Sequence, residues 1–181
     1  AISGAGKNFD TWPEMLDNVI PYIGGEEEKS EQEPLKIFGT VRGGVIENAT
    51  LPRFTAQCLR VPVSDGHMAA VFLRFAQGKK PAKEAIIDAW KNYSGAAHQL
   101  HLPSAPQQFL HYFEEDNMPQ TKLHRNLEGG MAVSIGRLRE DTQYDYKFVC
   151  LSHNTLLGAA GGSVLTAELL CAQGYIAPQN A

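Results

Sequence analysis

The apolar residues of this chain arrive in short runs, each closed by proline, glycine or a turn-forming cluster, and that punctuation limits the fold more than any single motif. Residues 54–63 read as a strand that ends at Ser64-Asp65-Gly66, three residues with turn chemistry. His67 then opens a second strand-like run over 68–75. Residues 131–138 and 144–151 read as two further strands, and 100–112 as strand, proline-rich loop and strand. No run approaches the roughly 20 apolar residues of a membrane span. Residues 114–130 are polar and loop-like.

Helical signals lie between these runs. Thr11-x-x-Glu14 has the form of a capping box with Pro13 in the first turn, which predicts a short helix to about Ile20, ended by Pro21. Glu26, Glu27 and Glu28 suit the positive end of a following helix, which Pro34 should kink or interrupt. Residues 81–93 form an amphipathic pattern with Ile86, Ala89 or Trp90, and Tyr93 on one face, stopped by Gly95. Residues 154–174 read as a long helix carrying Gly158-Ala-Ala-Gly-Gly162. Each glycine there costs about 1 kcal/mol of helix stability relative to alanine. Such a stretch implies close approach by another backbone, a flat ligand or a packed sheet.

The order of elements predicts an α+β fold with a mixed, largely antiparallel sheet and helices on one face. No strand leads into G-x-G-x-x-G, so a doubly wound nucleotide fold is not visible, and the lone Gly4-Ala-Gly6 reads as a turn. A chain of 181 residues buries about 70% of its unfolded surface, enough for a real core. A net charge of -4 gives no general pull toward nucleic acid or anionic lipid. Cys58, Cys150 and Cys171 make neither a disulfide framework nor a C-x-x-C pair, which fits a reducing, cytosolic setting. The chain starts at Ala1 with no initiator methionine and no leader pattern, so a processed or truncated piece is expected.

Several residues could carry chemistry. Arg60 presents a fork of donors that matches a carboxylate, and His67, just past the next turn, can give and take a proton near neutral pH. By spacing alone His67 reads as a plain turn residue. Glu26 and Lys29 share one helical face, which taken alone is a solvated charged surface. Cys58 stands two residues before Arg60, on the same strand face if 54–63 is a strand, and could be a nucleophile or a small buried hydrophobe. His98-x-x-His101 lies where Leu100 and Pro103 favour extended chain, so no metal site is expected.

Together these segments resemble the C-terminal part of aspartate-β-semialdehyde dehydrogenases of the archaeal and fungal type. The likeness is carried by residues 1–6, by Asp-Asn-Val-Ile-Pro-Tyr-Ile-Gly-Gly-Glu-Glu-Glu-Lys at 17–29 and by Arg-Val-Pro-Val-Ser-Asp-Gly-His at 60–67. Leu-Pro-Ser-Ala-Pro at 102–106, Leu-Glu-Gly-Gly-Met-Ala-Val-Ser-Ile-Gly-Arg-Leu-Arg at 127–139 and Ser-His-Asn-Thr-Leu-Leu-Gly-Ala-Ala-Gly-Gly at 152–162 extend it over essentially the whole chain.

The resemblance implies the C-terminal domain fold shared with glyceraldehyde-3-phosphate dehydrogenase, here truncated. Residues 1–181 would be a catalytic and dimerisation domain without its own start and without the upstream NADP-binding domain. It implies reductive dephosphorylation of aspartyl phosphate to aspartate semialdehyde through a cysteine thioacyl intermediate, in lysine, methionine, threonine and isoleucine synthesis. By the same resemblance His67 is the acid/base residue, Arg60 grips the substrate carboxylate, Glu26 meets its amino group and Lys29 binds phosphate. Ser3 and Gly4 match a loop beside the cofactor's nicotinamide, and Asn154 a cofactor contact.

The family's nucleophilic cysteine lies upstream in an Asn-Cys context that does not occur here, and none of the three cysteines matches it. This chain alone is therefore expected to lack turnover and to bind NADP weakly or not at all. A homodimer is implied, with pairing of dimers into tetramers left open. Two alternatives stand beside this reading: a related acyl reductase, acting on malonyl-CoA or N-acetyl-glutamyl phosphate, and a purely dimerising domain without chemistry. Glu26 speaks against malonyl-CoA, which has no amino group to pair.

Overall fold

The computed structural model describes residues 1–177. Its chain divides into two compact units, one built from Ala1, Ser3–Gly6 and everything from Val63 onward, the other from Ile2 and Lys7–Pro62.

The larger unit is organised by a four-stranded sheet in the order β3-β6-β5-β4, with β3 at His67–Leu73, β4 at Leu110–Phe113, β5 at Val133–Glu140 and β6 at Tyr146–Ser152. The β3/β6 and β6/β5 pairs are antiparallel and β5/β4 is parallel, so the sheet is mixed and largely antiparallel, as the order of elements predicts. Strands β5 and β6 are joined by a turn that Asp141 fixes. Its carboxylate accepts the backbone N–H groups of Gln143 and Tyr144 at 2.8 and 2.9 Å and meets Lys147 Nζ at 2.8 Å. These donors hold the Asp141 carboxyl well below the usual carboxylate range, the Lys147 ammonium contributing most.

The apolar stripe predicted for 81–93 becomes helix α2, Lys83–Lys91, laid on one face of this sheet. Ile86 and Ile87 pack with Leu138 and Tyr146, and Phe75, Trp90, Tyr112 and Phe148 surround that cluster. Trp90 stacks on Tyr112 at 5.8 Å and tilts against Phe148 at 5.2 Å. The Tyr146 hydroxyl, brought into the core by its ring, donates to the Pro81 carbonyl at 2.8 Å. A π-helical turn, Leu156–Ala160, leads into α5, Gly161–Ala172. A Cβ on Gly161 would stand 2.5 Å from Met131 Sδ, so part of the small-residue stretch reflects tight packing within the fold.

The smaller unit carries helix α1, Glu26–Ile37, and a hairpin of β1, Thr40–Arg42, with β2, Val45–Glu47. The two hairpin turn residues, Gly43 and Gly44, have φ of 56° and 79°, the left-handed pair that a two-residue hairpin turn needs. That hairpin carries the glycine-pair signal of a tight turn but is absent from the strands predicted above. Helix α1 runs through Pro34 rather than stopping there.

Four local expectations are corrected. The helix expected over 11–20 shrinks to a 3-10 turn at Pro13–Met15. Thr11 does not cap it, because its N–H and hydroxyl pair with Asn8 instead. Residues 54–63 form no strand; only Arg60 makes a bridge, with Ile20. The His98 region is helical, α3 at Ala96–Gln99, since the proline restriction acts on Leu102 and not four residues earlier. Within 114–130 a short helix α4, Thr121–His124, appears.

Candidate functional site

The residues singled out in the sequence fall in both units. In the smaller one, the acids of α1 divide by face. Glu27 and Glu31, one helical turn apart, each accept a backbone N–H of the 54–60 segment: Glu27 Oε1 from Cys58 and Glu31 Oε1 from Ala56, both at 2.8 Å. Arg60 then exchanges two backbone hydrogen bonds with Ile20, both 2.9 Å. The segment's donors are thus taken by side-chain carboxylates where a neighbouring strand would otherwise bind, which is why an apolar, strand-like sequence does not join a sheet. Cys58 and Arg60 consequently do not share a strand face.

The same sorting leaves Glu26 and Lys29 toward solvent. Lys29 Nζ meets Glu26 Oε1 at 3.3 Å with side chains 59% and 45% exposed. Such a solvated pair contributes about 0–1 kcal/mol, so either partner can turn to a ligand at little cost.

In the larger unit, His67 is the first residue of β3, exposed, and paired in register with Ser152. The turn before it is held from several sides. Gly66 N–H donates to Asn154 Oδ1 at 2.8 Å, Asn154 Nδ2 donates to Ser3 Oγ at 2.9 Å, and Ser3 N–H donates to the Ser64 carbonyl at 3.1 Å. Gly66 has φ of +99° and is buried. A Cβ there would lie 2.9 Å from Thr121 Cγ2 and 3.2 Å from Leu151 Cδ1, so any side chain at this position is both strained and crowded. Ser3 and Asn154, 151 positions apart, are thereby brought together, and Gly4 lies exposed beside them. The resemblance places Asn154 against a cofactor. The structure shows its amide bonded at both ends to the protein, a contact no local pattern could have signalled.

Three further histidines are occupied locally. His98 Nε2 bonds the Pro106 carbonyl at 2.8 Å, and His111 Nε2 the Gln108 carbonyl at 3.0 Å. Buried His153 accepts the N–H groups of Thr155 and Leu156 on Nδ1, capping the π-helical turn. Among the described residues no group of three His, Cys, Asp or Glu side chains is placed to hold a metal. Burial pushes the Cys150 thiol up, away from nucleophilic use, while Cys171 is exposed on α5. A shallow groove of about 500 Å³ runs along Leu157, Gly158, Ala159, Gly162 and Ser163.

An α+β unit with a mixed sheet, an imidazole opening its edge strand and no nucleotide-binding βαβ unit among the described residues is a domain of the sheet-built, non-Rossmann class. Its family is specific. The model described as semialdehyde dehydrogenase, dimerisation domain, matches residues 1–157, and the chain belongs to that family. Aspartate-semialdehyde dehydrogenase of Candida albicans is 44% identical over 97% of this chain and 50% of its own length. The protein of that name from Methanothermobacter thermautotrophicus is 42% identical over 94% of this chain and 49% of its own. A solved structure of the Candida albicans enzyme with NADP superposes with a TM-score of 0.85 at 41% identity, covering 97% of this chain and 49% of that one. The chain spans about half the length of the curated relatives it matches.

Proposed function

We propose that this chain is the catalytic and dimerisation part of an NADP-dependent aspartate-semialdehyde dehydrogenase acting in the cytoplasm. The observation that carries the reading is the likeness to enzymes of that name over 97% of the chain, with His67, Arg60, Glu26, Lys29, Ser3, Gly4 and Asn154 all present in it. The three free cysteines agree with a reducing compartment.

In this reading each side chain has a task suited to its chemistry. Arg60 binds the substrate's α-carboxylate as a two-pronged donor, and Glu26 pairs with its ammonium. Lys29 releases Glu26 and offers a compact positive charge to phosphate. A thiolate from the half of the protein outside this chain attacks the acyl phosphate, the C–O bond breaks and phosphate leaves. NADPH, when bound, supplies the hydride that reduces the thioacyl carbon. His67 takes the thiol proton in the first half-reaction; in the second it gives a proton to the tetrahedral oxygen and takes it back as the C–S bond breaks, the semialdehyde leaves and the thiolate is regenerated. Exposed Gly4, without a side chain, fits the edge of a flat ring, and Ser3 and Asn154 fix the loop that carries it. The domain pairs with a second copy into a homodimer.

The test is NADPH formation from aspartate semialdehyde, phosphate and NADP, in the full-length protein and in residues 1–181 alone. Turnover is expected in the first and none in the second. A silent full-length protein, or one that prefers an acyl-CoA, overturns the assignment.

A further inference from the structure

The residues assigned so far leave Arg125 without a role, although it reaches from the end of α4 to the turn that presents His67. Its Nη1 donates to Ser64 Oγ at 2.7 Å and to the Asp65 carbonyl at 3.2 Å. Its Cβ lies where a Cβ on Gly66 would come within 3.3 Å. One side chain therefore grips two consecutive residues of a three-residue turn and walls in the third. Asn154 holds the same turn by the Gly66 N–H, at 2.8 Å. The two grips are complementary: the guanidinium takes a hydroxyl and a carbonyl, the amide takes an N–H. The turn must be clamped by something, because β3 is an edge strand whose first residue is exposed, and among the described residues β6 alone pairs with it.

We propose that Arg125 is a positioning residue for His67: by fixing Ser64 and Asp65 it sets the direction in which the imidazole leaves β3. The proposal rests on the acid/base role given to His67 above. Arginine suits this task better than lysine. Its planar fork meets two acceptors from one direction, whereas an ammonium on a flexible stem does not hold both. A displacement of the order of 1 Å in a proton-transfer group is enough to cost about 100-fold in rate, so a clamp remote from substrate can control turnover.

The experiment is a double-mutant cycle in the full-length protein with H67A, R125A and R125K, read as kcat and KM separately. We expect R125A to lower kcat by about 10- to 100-fold with KM changed less than about threefold, and R125K to recover only part of the loss. On the H67A background R125A should cost nothing further, since a residue acting through His67 has nothing left to position. Full additivity of the two losses, or a kcat for R125A within twofold of wild type while H67A is impaired, overturns the proposal. An unimpaired H67A instead removes the acid/base role of His67 itself, and the positioning role falls with it. If R125A does not fold, S64A removes the hydroxyl acceptor alone and is read in the same cycle, with the same non-additivity required.

Discussion

Glu26 and Glu27 are neighbours in the chain with unlike duties. Glu27 has its carboxylate on the Cys58 N–H, while Glu26 pairs with Lys29 in solvent. A hydrogen bond from a half-buried N–H to a carboxylate contributes on the order of 1–2 kcal/mol. Glu27→Ala should therefore lower unfolding free energy by about that amount in a urea titration, and loosen the segment that presents Arg60. Glu26→Gln should leave stability within about 0.5 kcal/mol, as a solvated substitution does. In the full-length protein it should raise KM for aspartate semialdehyde by about tenfold or more, the loss of a charged contact. An unchanged KM would remove Glu26 from the substrate's amino group and favour an acyl substrate without one.

At the scale of elements, the β5–β6 connection and the α2 face hold the sheet together. The depressed pKa of Asp141 has a stability consequence with a definite sign. The group is ionised in the folded state well below the value of about 3.9 that it takes in the unfolded chain. Its contribution is thus complete above about pH 4 and is lost as pH falls toward the depressed folded value. Asp141→Asn should lower the thermal midpoint at pH 7, and the gap to wild type should narrow at pH 3. A gap equally wide at both pH values would mean that Lys147 does not stabilise the turn through charge. Beneath α2, Leu138 is 2% exposed and central to the packed cluster, so Leu138→Ala should cost about 2–5 kcal/mol in denaturant unfolding.

These two devices also show what a sequence reveals. The strands at 131–138 and 144–151 and the helix at 81–93 are legible because their period matches the face they bury. Residues 54–63 carry the same apolar signal, but their hydrogen bonds go to Glu27, Glu31 and Ile20, and no local pattern states where a donor will find its acceptor. His67, Arg60, Glu26 and Lys29 can be picked out from residue type and family likeness. Arg125 cannot, because its link to Ser64 spans 61 positions and leaves no periodic trace.

On the scale of the whole molecule, the sheet leaves apolar surface uncovered. Strand β3 is an edge strand, and its Met68 and Phe72 are 47% and 55% exposed. Side chains alternate along a strand, so both project from one face, with Ala70 between them. An exposed apolar strip on a sheet edge invites pairing or packing with another chain and would otherwise be a site of aggregation. The family's description as a dimerisation domain makes a second copy of this chain the occupant to test on this strip. If this strip lies in the homodimer interface, Phe72→Asp places a charge where water is excluded and opposes its own symmetry mate, since an isologous interface meets each change twice. Light scattering on the full-length protein should then show the dimer mass for wild type and a concentration-dependent shift to the monomer for Phe72→Asp. Thr142→Asp, an exposed change in the β5–β6 turn, should leave the dimer intact. A Phe72→Asp protein that stays dimeric at every concentration would place the interface on another part of the chain.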